Sequence, residues 1–555
     1  MNPIPSTFAL LGTLVFVGSC HAPATPREDD APLENSLHLA NGIRLENWAG
    51  PISERELAST IRLLSSDLYE GRGVGTRGDE LARAYIRSEF ERLGLVPSGD
   101  NDSYDQTVPI LGLTAKVEST LRGKGKGTEV AFDAATDYTA VAGNLDQTAQ
   151  WNDAELVFIG YGIDAPEQQW DDFKGQDLRG KVVLVMNNDP SSDPSLFAGT
   201  TRLYYGRWSY KYEEAARRGA LGAIVIHTTP SAGYPFQVTQ AGHGRENYWL
   251  PFDPKEPTLP VRSWCSEDAA RRLCTLGGHD LDALRSKAES RDFAPVPLGV
   301  TVSLQLRNTQ RELRSGNVLG LLPGSDPTLS SEVVVVTAHF DHLGIGAEKR
   351  GDAIYNGALD NATGVAGMLA IARACAAMEP RPARSILFAA VTAEESGLLG
   401  SSWLAQHLPC DRTKVVANYN IDGLAIWGET RDIEFIGYGK NSLTEVAEAV
   451  ARDRGRTVKP DSNPDLGLFY RSDHFNFARI GVPAAYFKAG SEFVDRADDR
   501  RRVKASYTAT DYHQPSDEFS RRWHLEGAAL DVQFVLDCLL CTCDGPVPTW
   551  SPGDE

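Results

Sequence analysis

From residue 309 onward, short apolar strands alternate with helical segments, and this alternation restricts the possible fold more than any other feature of the chain. Val333-Val334-Val335-Val336-Thr337-Ala338 is almost continuously apolar, and so is Ile386-Leu387-Phe388-Ala389-Ala390-Val391. A strand with no polar face must be covered on both sides, which is the signature of a parallel sheet. Strands are expected at Val333–Ala338, Ser385–Val391, Val415–Ile421, Ile433–Ile436 and Ala484–Phe487. Helices are expected at Thr363–Ala377, Leu443–Arg454 and Leu525–Leu540. The predicted fold class is α/β, with a mainly parallel mixed sheet covered by helices on both faces. In such sheets ligands bind beyond the carboxyl ends of the strands.

The chain has 555 residues, too many for one ordinary core, so two or three domains are expected. Residues 52–96 read as helices, with Leu57, Ile61, Leu64 and Leu68 at helical spacing, then Leu81, Ala84, Tyr85, Phe90 and Leu93. The glycine-rich loop Tyr69 to Thr76 between them is not a phosphate loop, because no strand precedes it and no Gly-Lys-Ser/Thr follows. Residues 135–308 change character. Strands are expected at Leu156–Ile159, Lys181–Met186 and Ala223–Ile226, with a short helix at Tyr212–Arg218. The turn Gly160-Tyr161-Gly162, the strand entry "DLRGKVVLV" and the run "EEAARRGALGAIVI" resemble the protease-associated domain, a β-rich insert of several peptidase families. That resemblance implies a lid or substrate-recruiting wall and no catalytic residue.

Phe8 to Ser19 is an apolar run too short to span a bilayer, and it fits a signal-peptide core. It ends Val17-Gly18-Ser19-Cys20, which resembles the lipobox of bacterial lipoproteins, although no Lys or Arg precedes the core. The expectation is an exported chain, periplasmic or in the cell envelope, tethered to the membrane through a lipidated Cys20. Residues 21–48 then read as a flexible linker. A net charge of −20 argues against nucleic acid as a partner. Seven cysteines follow Cys20, so at least one thiol is left over from any pairing. Cys265 and Cys274 form a plausible local disulfide in an oxidising compartment. Cys538, Cys541 and Cys543 lie in an apolar final helix with no fourth ligand near, and read as core residues or one disulfide rather than a zinc knuckle.

Three of the expected strand ends carry an acid or histidine, with further polar groups in the loops. Val333–Ala338 runs into His339-Phe340-Asp341, and Asp341 is placed to hydrogen-bond the ring nitrogen of His339 that faces away from a metal. Asp360 precedes a helix that Asn361 or Thr363 can cap, which leaves Asp360 free to bridge two cations with one oxygen each. The strand ending at Val391 leads to Glu394-Glu395, two adjacent carboxylates that are costly at an apolar strand mouth unless positive charge lies nearby. One can ligate a metal while the other holds the proton of an attacking water. Asp422 follows the next strand, and His513 lies in a polar turn. Two imidazoles and three carboxylates make a mixed nitrogen and oxygen set that suits two Zn²⁺ ions sharing one bridge.

The segments "AHFDHLG", "GALDNATG", "TAEESGLLGS", "NIDG", "SDHFNF" and "DYHQPSDE" resemble, in order, those of the M28 family of co-catalytic zinc peptidases, whose best-known members are aminopeptidases. The resemblance implies one zinc on His339 and Asp422, another on Glu395 and His513, Asp360 bridging them, and Glu394 as general base. It also implies a cis peptide bond after Asp360. Asn361 stands where some relatives carry Asp. The expected organisation is a signal peptide over 1–20, an N-terminal part of the peptidase domain over 49–134, the insert over 135–308, the main peptidase part over 309–543 and a tail over 544–555.

The expected activity is removal of N-terminal residues from peptides through a metal-bridged water, with Glu394 moving the proton. Alternatives are a carboxypeptidase of the same family, which a basic cluster reading a free carboxylate would favour, a single-zinc glutaminyl cyclase, and a non-catalytic receptor-like module, which predicts lost ligands. Ser472-Asp473-His474 reads as support or substrate wall, and Tyr470 as a candidate oxyanion donor. His342, His407 and His524 read as ordinary histidines. Arg471 is available to face a substrate carboxylate, although nothing in the sequence requires it.

Overall fold

A computed structural model describes residues 52–241, 243–252 and 255–552. Cys20, the expected signal peptide and the expected linker lie outside them. Among the described residues no helix is long and apolar enough to cross a membrane.

One continuous sheet of sixteen strands organises the described chain. Its first half follows the order Thr457–Pro460, Asp432–Ile436, Ala484–Ala489, Val415–Asn420, Val333–His339, Ser385–Val391. The last four of these are parallel throughout, while Asp432–Ile436 runs antiparallel to Ala484–Ala489. The five strands expected beyond residue 309 are all present, with ends shifted by at most two residues. Every residue of Val333–His339 and of Ser385–Val391 is buried. The side chains of Val333 and Val335 pack with Leu404 and Phe477 on one face. On the other face lie the helices Thr363–Ala376 and Glu526–Asp544, where Tyr419 Oη donates to Cys538 O at 3.0 Å. The α/β, two-sided architecture predicted from the apolar strands is the one observed.

The register fixes the site. His339 lies opposite Val391, and Thr337 lies opposite Asn420. Three parallel strands therefore finish at one edge, and the loops beyond that edge carry His339, Glu394-Glu395 and Asp422.

Two long strands were not expected. Asp105–Gly125 and Val296–Leu322 pair antiparallel along nearly their full length. Val318–Leu322 also pairs with Ser385–Val391, and the other end of the same strand pairs with Thr148–Phe158. The expected boundary at 308 thus falls inside a single strand, and the sheet passes through it unbroken. Beyond it, Thr148–Phe158, Val182–Met186, Gly222–His227 and Val261–Ser266 continue in parallel, closed by the antiparallel Tyr138–Ala142. This second half has its own cores on the two faces of the sheet, one including Trp151, Phe158, Ile224 and Leu304, the other Val183, Tyr212 and Val225.

The expected Cys265–Cys274 disulfide is absent. All seven described cysteines are free thiols. Cys265 and Cys274 are fully buried, where they fill space as small apolar side chains. Cys538, Cys541 and Cys543 lie in the buried helix Glu526–Asp544, as core residues.

Candidate metal centre

His339 ends its strand almost completely buried, at 1% exposure. Its Nε2 lies 3.3 Å from Asp360 Oδ1 and 3.6 Å from Asp422 Oδ1. On the far side of Asp360, Oδ2 lies 3.3 Å from His513 Nε2, and that same nitrogen is 3.0 Å from Glu395 Oε2. One carboxylate therefore offers one oxygen to each of two imidazoles. The five residues singled out from sequence, drawn from five segments of the chain, meet at one place.

Each is positioned by its local backbone. Asn361 caps the following helix, with Gly364 N donating to its Oδ1 at 2.8 Å. The same Asn361 holds the neighbouring loop, giving Nδ2–H to Ile421 O at 2.9 Å and accepting Gly423 N at 3.1 Å. It thus fixes Asp422 while leaving Asp360 free. The Asp360–Asn361 bond is cis. Asp422 Oδ2 accepts from Ser472 Oγ at 2.6 Å, which gives the Ser472 segment a supporting role. His513 has a left-handed backbone, φ 58°, in a turn where its ring stacks on Tyr512 at 3.8 Å.

Asp341 does not do what its spacing suggested. Its carboxylate is 3.8 Å from His339 Nδ1, and the ring nitrogen meets the Asp341 backbone oxygen at 3.2 Å instead. The carboxylate accepts the backbone N–H groups of Glu394 at 3.0 Å and Glu395 at 3.4 Å. It anchors the two-glutamate turn, because those N–H groups have no strand partner there.

Three residues had drawn no site role from the sequence. His342, read as ordinary, is 2% exposed, and its Nδ1 lies 2.7 Å from Glu395 Oε1, off the line of a good hydrogen bond. Glu395 so divides its oxygens, one toward His342 and one toward His513. Gly357, φ +54°, lets the chain pass this ring, for a Cβ there would fall 2.5 Å from His342 Cγ. Asp517 accepts Leu359 N at 3.0 Å and Asp360 N at 3.1 Å, holding the turn that carries the bridging carboxylate. Arg72, fully buried, donates to Phe340 O, Leu64 O, Asn356 O and Gly357 O at 2.6–2.8 Å. It ties the His339 loop to the Asp360 turn. Adjacent strand-end histidines in His339-Phe340-Asp341-His342 were the available signal for the first. Nothing local marked the other two.

Tyr470 packs its ring against Tyr204, Phe469 and Phe475. His474 is fully buried between the rings of Phe469 and Tyr486. His407 stacks on Trp403 at 3.7 Å, outside the cluster. His524 lies 3.5 Å from Glu526 Oε1 and is no part of the cluster either.

Electrostatically the cluster is short of positive charge. Burial alone would push the His339 imidazole down, but Glu394, Asp360 and Asp422 carry it well above its ordinary value. His513 is likewise opposed by burial and raised to about 10 by Glu395 and Asp360. Burial pushes Asp341 up to about 7, and burial, with Glu395 and Asp473 adding to it, holds Glu394 well above the usual carboxylate range. Packed carboxylates of this kind call for cations. The buried atoms His339 Nε2, His513 Nε2 and Glu395 Oε1 lack hydrogen-bond partners, as ligand atoms do when their partner is a metal. Ligand atoms of His339, Glu394 and Asp422 lie within 4.8 Å of one another, as do those of His342, Asp360 and Glu395. Imidazole with carboxylate is a donor set that suits zinc. The residues around Asp360 fit a zinc centre.

Residues 317–533 match the model of peptidase family M28. Aminopeptidase YwaD of Bacillus subtilis (strain 168) is 23% identical over 476 residues, which is 85% of this chain and 83% of that one. A protein named "Probable zinc metalloprotease" from Pyrenophora tritici-repentis (strain Pt-1C-BFP) is 29% identical over 216 residues, covering 37% of this chain and less than half, 43%, of its own length. Among solved structures, an aminopeptidase from Aneurinibacillus sp. strain AM-1 shares the fold with a TM-score of 0.53 at 19% identity, over 88% of this chain and 93% of that one.

Proposed function

Because residues 317–533 belong to peptidase family M28, we propose that this chain is a zinc-dependent aminopeptidase holding two Zn²⁺ ions. His339 and Asp422 would hold one ion, Glu395 and His513 the other, and Asp360 would join them. The observation that carries the reading is Asp360 itself, whose two oxygens each lie 3.3 Å from a different imidazole. The relatives named for zinc and for aminopeptidase activity support it.

When bound, the zinc pair would supply an acidified water and a polarised scissile carbonyl. The protein's own part is proton management. Glu394 is held at the site by its backbone N–H on Asp341. Beside His339 and Asp422, it is placed to accept the proton of the attacking water and deliver it to the leaving amine. Glu395, next in sequence, points to the opposite imidazole, so the two glutamates divide the tasks. Residues 135–308 resemble a protease-associated domain, and in this reading they form a wall that limits which peptides reach Asp360. The first twenty residues belong to the same proposal as an export signal ending at a lipidated Cys20. Peptides are the partners, and nucleic acid is not.

The test is Glu394→Ala. It should keep two zinc ions per chain by elemental analysis and hydrolyse no aminoacyl-nitroanilide. A variant that still turns over removes Glu394 as the base. A panel of free, N-blocked and C-terminally blocked peptides separates the modes, since cleavage confined to N-blocked peptides excludes an aminopeptidase.

A further inference from the structure

His342 stands against the metal centre, yet the five-residue ligand set leaves it unused. Its side chain is wholly buried, whereas that of His513 is 27% exposed. Neither of its ring nitrogens has a hydrogen-bond partner among the described residues. An imidazole taken out of water normally finds a partner for its polar atoms. The backbone holds this one firmly in place. His342 N donates to Arg72 O at 3.3 Å, and the residue bridges to Gly73. On the opposite side Gly357 leaves room for the ring, since a Cβ there would fall 2.6 Å from His342 Cδ2.

Glu395 Oε1 lies 2.7 Å from His342 Nδ1, but the two atoms make no hydrogen bond and both are left without a partner. Two such atoms, close together and not aimed at each other, keep lone pairs free for a third body. Two ligand atoms of one zinc, each about 2.0–2.2 Å from it, stand about 3 Å apart. Asp360 completes the group, for ligand atoms of His342, Asp360 and Glu395 all lie within 4.8 Å of one another. This is one imidazole with two carboxylates, the same donor set as His339, Glu394 and Asp422. His513 joins it from a turn, with Nε2 3.0 Å from Glu395 Oε2 and its ring 5.7 Å from that of His342.

We propose that His342 is a sixth metal ligand, binding through Nδ1 the ion that Glu395 and His513 share. This deepens the two-zinc reading, on which it rests. The ion is then held by one imidazole from the buried core and one from a turn, so it stays bound when the His513 turn is disturbed.

Cobalt(II) in place of zinc tests this on the full chain. Its unpaired electrons move the N–H proton of each ligating imidazole far outside the ordinary range of proton NMR. Three such exchangeable signals are expected, from His339, His342 and His513. His342→Leu and His342→Asn should each keep two. Chelator competition on the zinc-loaded variants should show one ion weakened by at least about tenfold and the other unchanged. His513→Ala should still hold two zinc ions by elemental analysis, and the double variant of His342→Leu with His513→Ala only one. Asn is polar and close to the ring in shape, so it decides the question if the leucine variant does not fold. Two signals in the wild type, or as many in His342→Asn as in the wild type, overturn the proposal and leave the two-zinc reading intact. A wild-type chain that takes up a single ion removes the two-zinc reading, and the loss or survival of a signal in His342→Asn still judges His342. A chain that takes up neither metal overturns both.

Discussion

Arg72 shows how one side chain can hold a site it never touches. Its guanidinium donates to carbonyls of the His339 loop and of the Asp360 turn at once, a planar fork that no other residue reproduces. Arg72→Met leaves four buried carbonyls without a donor, each costing about 1–3 kcal/mol before relaxation. The expected loss, read by denaturant unfolding, is about 3–5 kcal/mol, and zinc should be surrendered to a weaker chelator than the wild type requires. Arg72→Lys should recover only part, and full recovery would mean that charge rather than fork geometry matters. His474 gives a second residue-scale prediction, through pH. Burial lowers its folded-state pKa to about 3, below the unfolded value near 6.5. The unfolded chain therefore binds the extra proton between those values, and stability present above pH 6.5 is lost as the pH falls. By pH 5 that amounts to about 2 kcal/mol at roughly 1.36 kcal/mol per pH unit. His474→Phe keeps the ring packing with Phe469 and Tyr486 and should lose about 2 kcal/mol less between pH 7.5 and pH 5. Parallel losses in the two proteins would show that His474 is not held neutral. His339, Glu394, Glu395 and Asp422 were legible in the sequence because strand ends mark them, and Asp360 and His513 because of the motifs around them. Arg72 and Asp517 were not, because their role lies in backbone groups far away in sequence that no local pattern announces.

At the scale of elements, the approach of helix Thr363–Ala376 to the neighbouring loop decides whether the centre can assemble. Gly364 permits it, since a Cβ there would lie 2.3 Å from Asn361 Oδ1 and 2.4 Å from Ile421 O. Gly364→Ala must push Asn361 away from Ile421 and Gly423, and so loosen Asp360 and Asp422 together. The expected cost is about 1–3 kcal/mol of stability, with zinc affinity falling in the same variant by chelator competition. Unchanged affinity would separate the Asn361 clamp from the metal centre. The short parallel strands were readable because each is buried on both faces and flanked by turns. The strands Asp105–Gly125 and Val296–Leu322 were not. Pro109, Gly112 and Gly123 punctuate the first and Gly299, Gly316 and Gly320 the second, so each reads locally as a series of breaks. Their length comes from pairing with each other across some two hundred residues of chain, a tertiary property. The helix start at Trp208, four residues earlier than expected, was hidden in the same way, because Trp208 in its first turn packs on Trp264, remote in sequence.

For the whole molecule, those two strands make one sheet of what the sequence divides into separate domains. Val296–Leu322 is hydrogen-bonded to Ser385–Val391 at one end and to Thr148–Phe158 at the other, so neither half can open without exposing an edge of the other. Metal removal should therefore act on the entire described fold. Ions that bind only the folded chain stabilise it by RT ln(1 + [L]/Kd), about 4 kcal/mol at a free concentration a thousandfold above Kd. Without them the half-buried carboxylates Asp360, Glu394, Glu395 and Asp422 keep the imidazoles and the guanidinium of Arg72 as counter-charges. Dialysis against a chelator should abolish peptide hydrolysis and lower the melting temperature of a single calorimetric transition, and added zinc should restore both. Two resolved transitions, with only one moving on chelation, would show that the halves fold independently and that the continuous sheet does not couple them. A single transition that ignores the chelator would instead detach the metal centre from the stability of the fold. Coupling is the expected result because the strand that joins the halves also borders Ser385–Val391, whose end delivers Glu394 and Glu395 to the candidate metal centre.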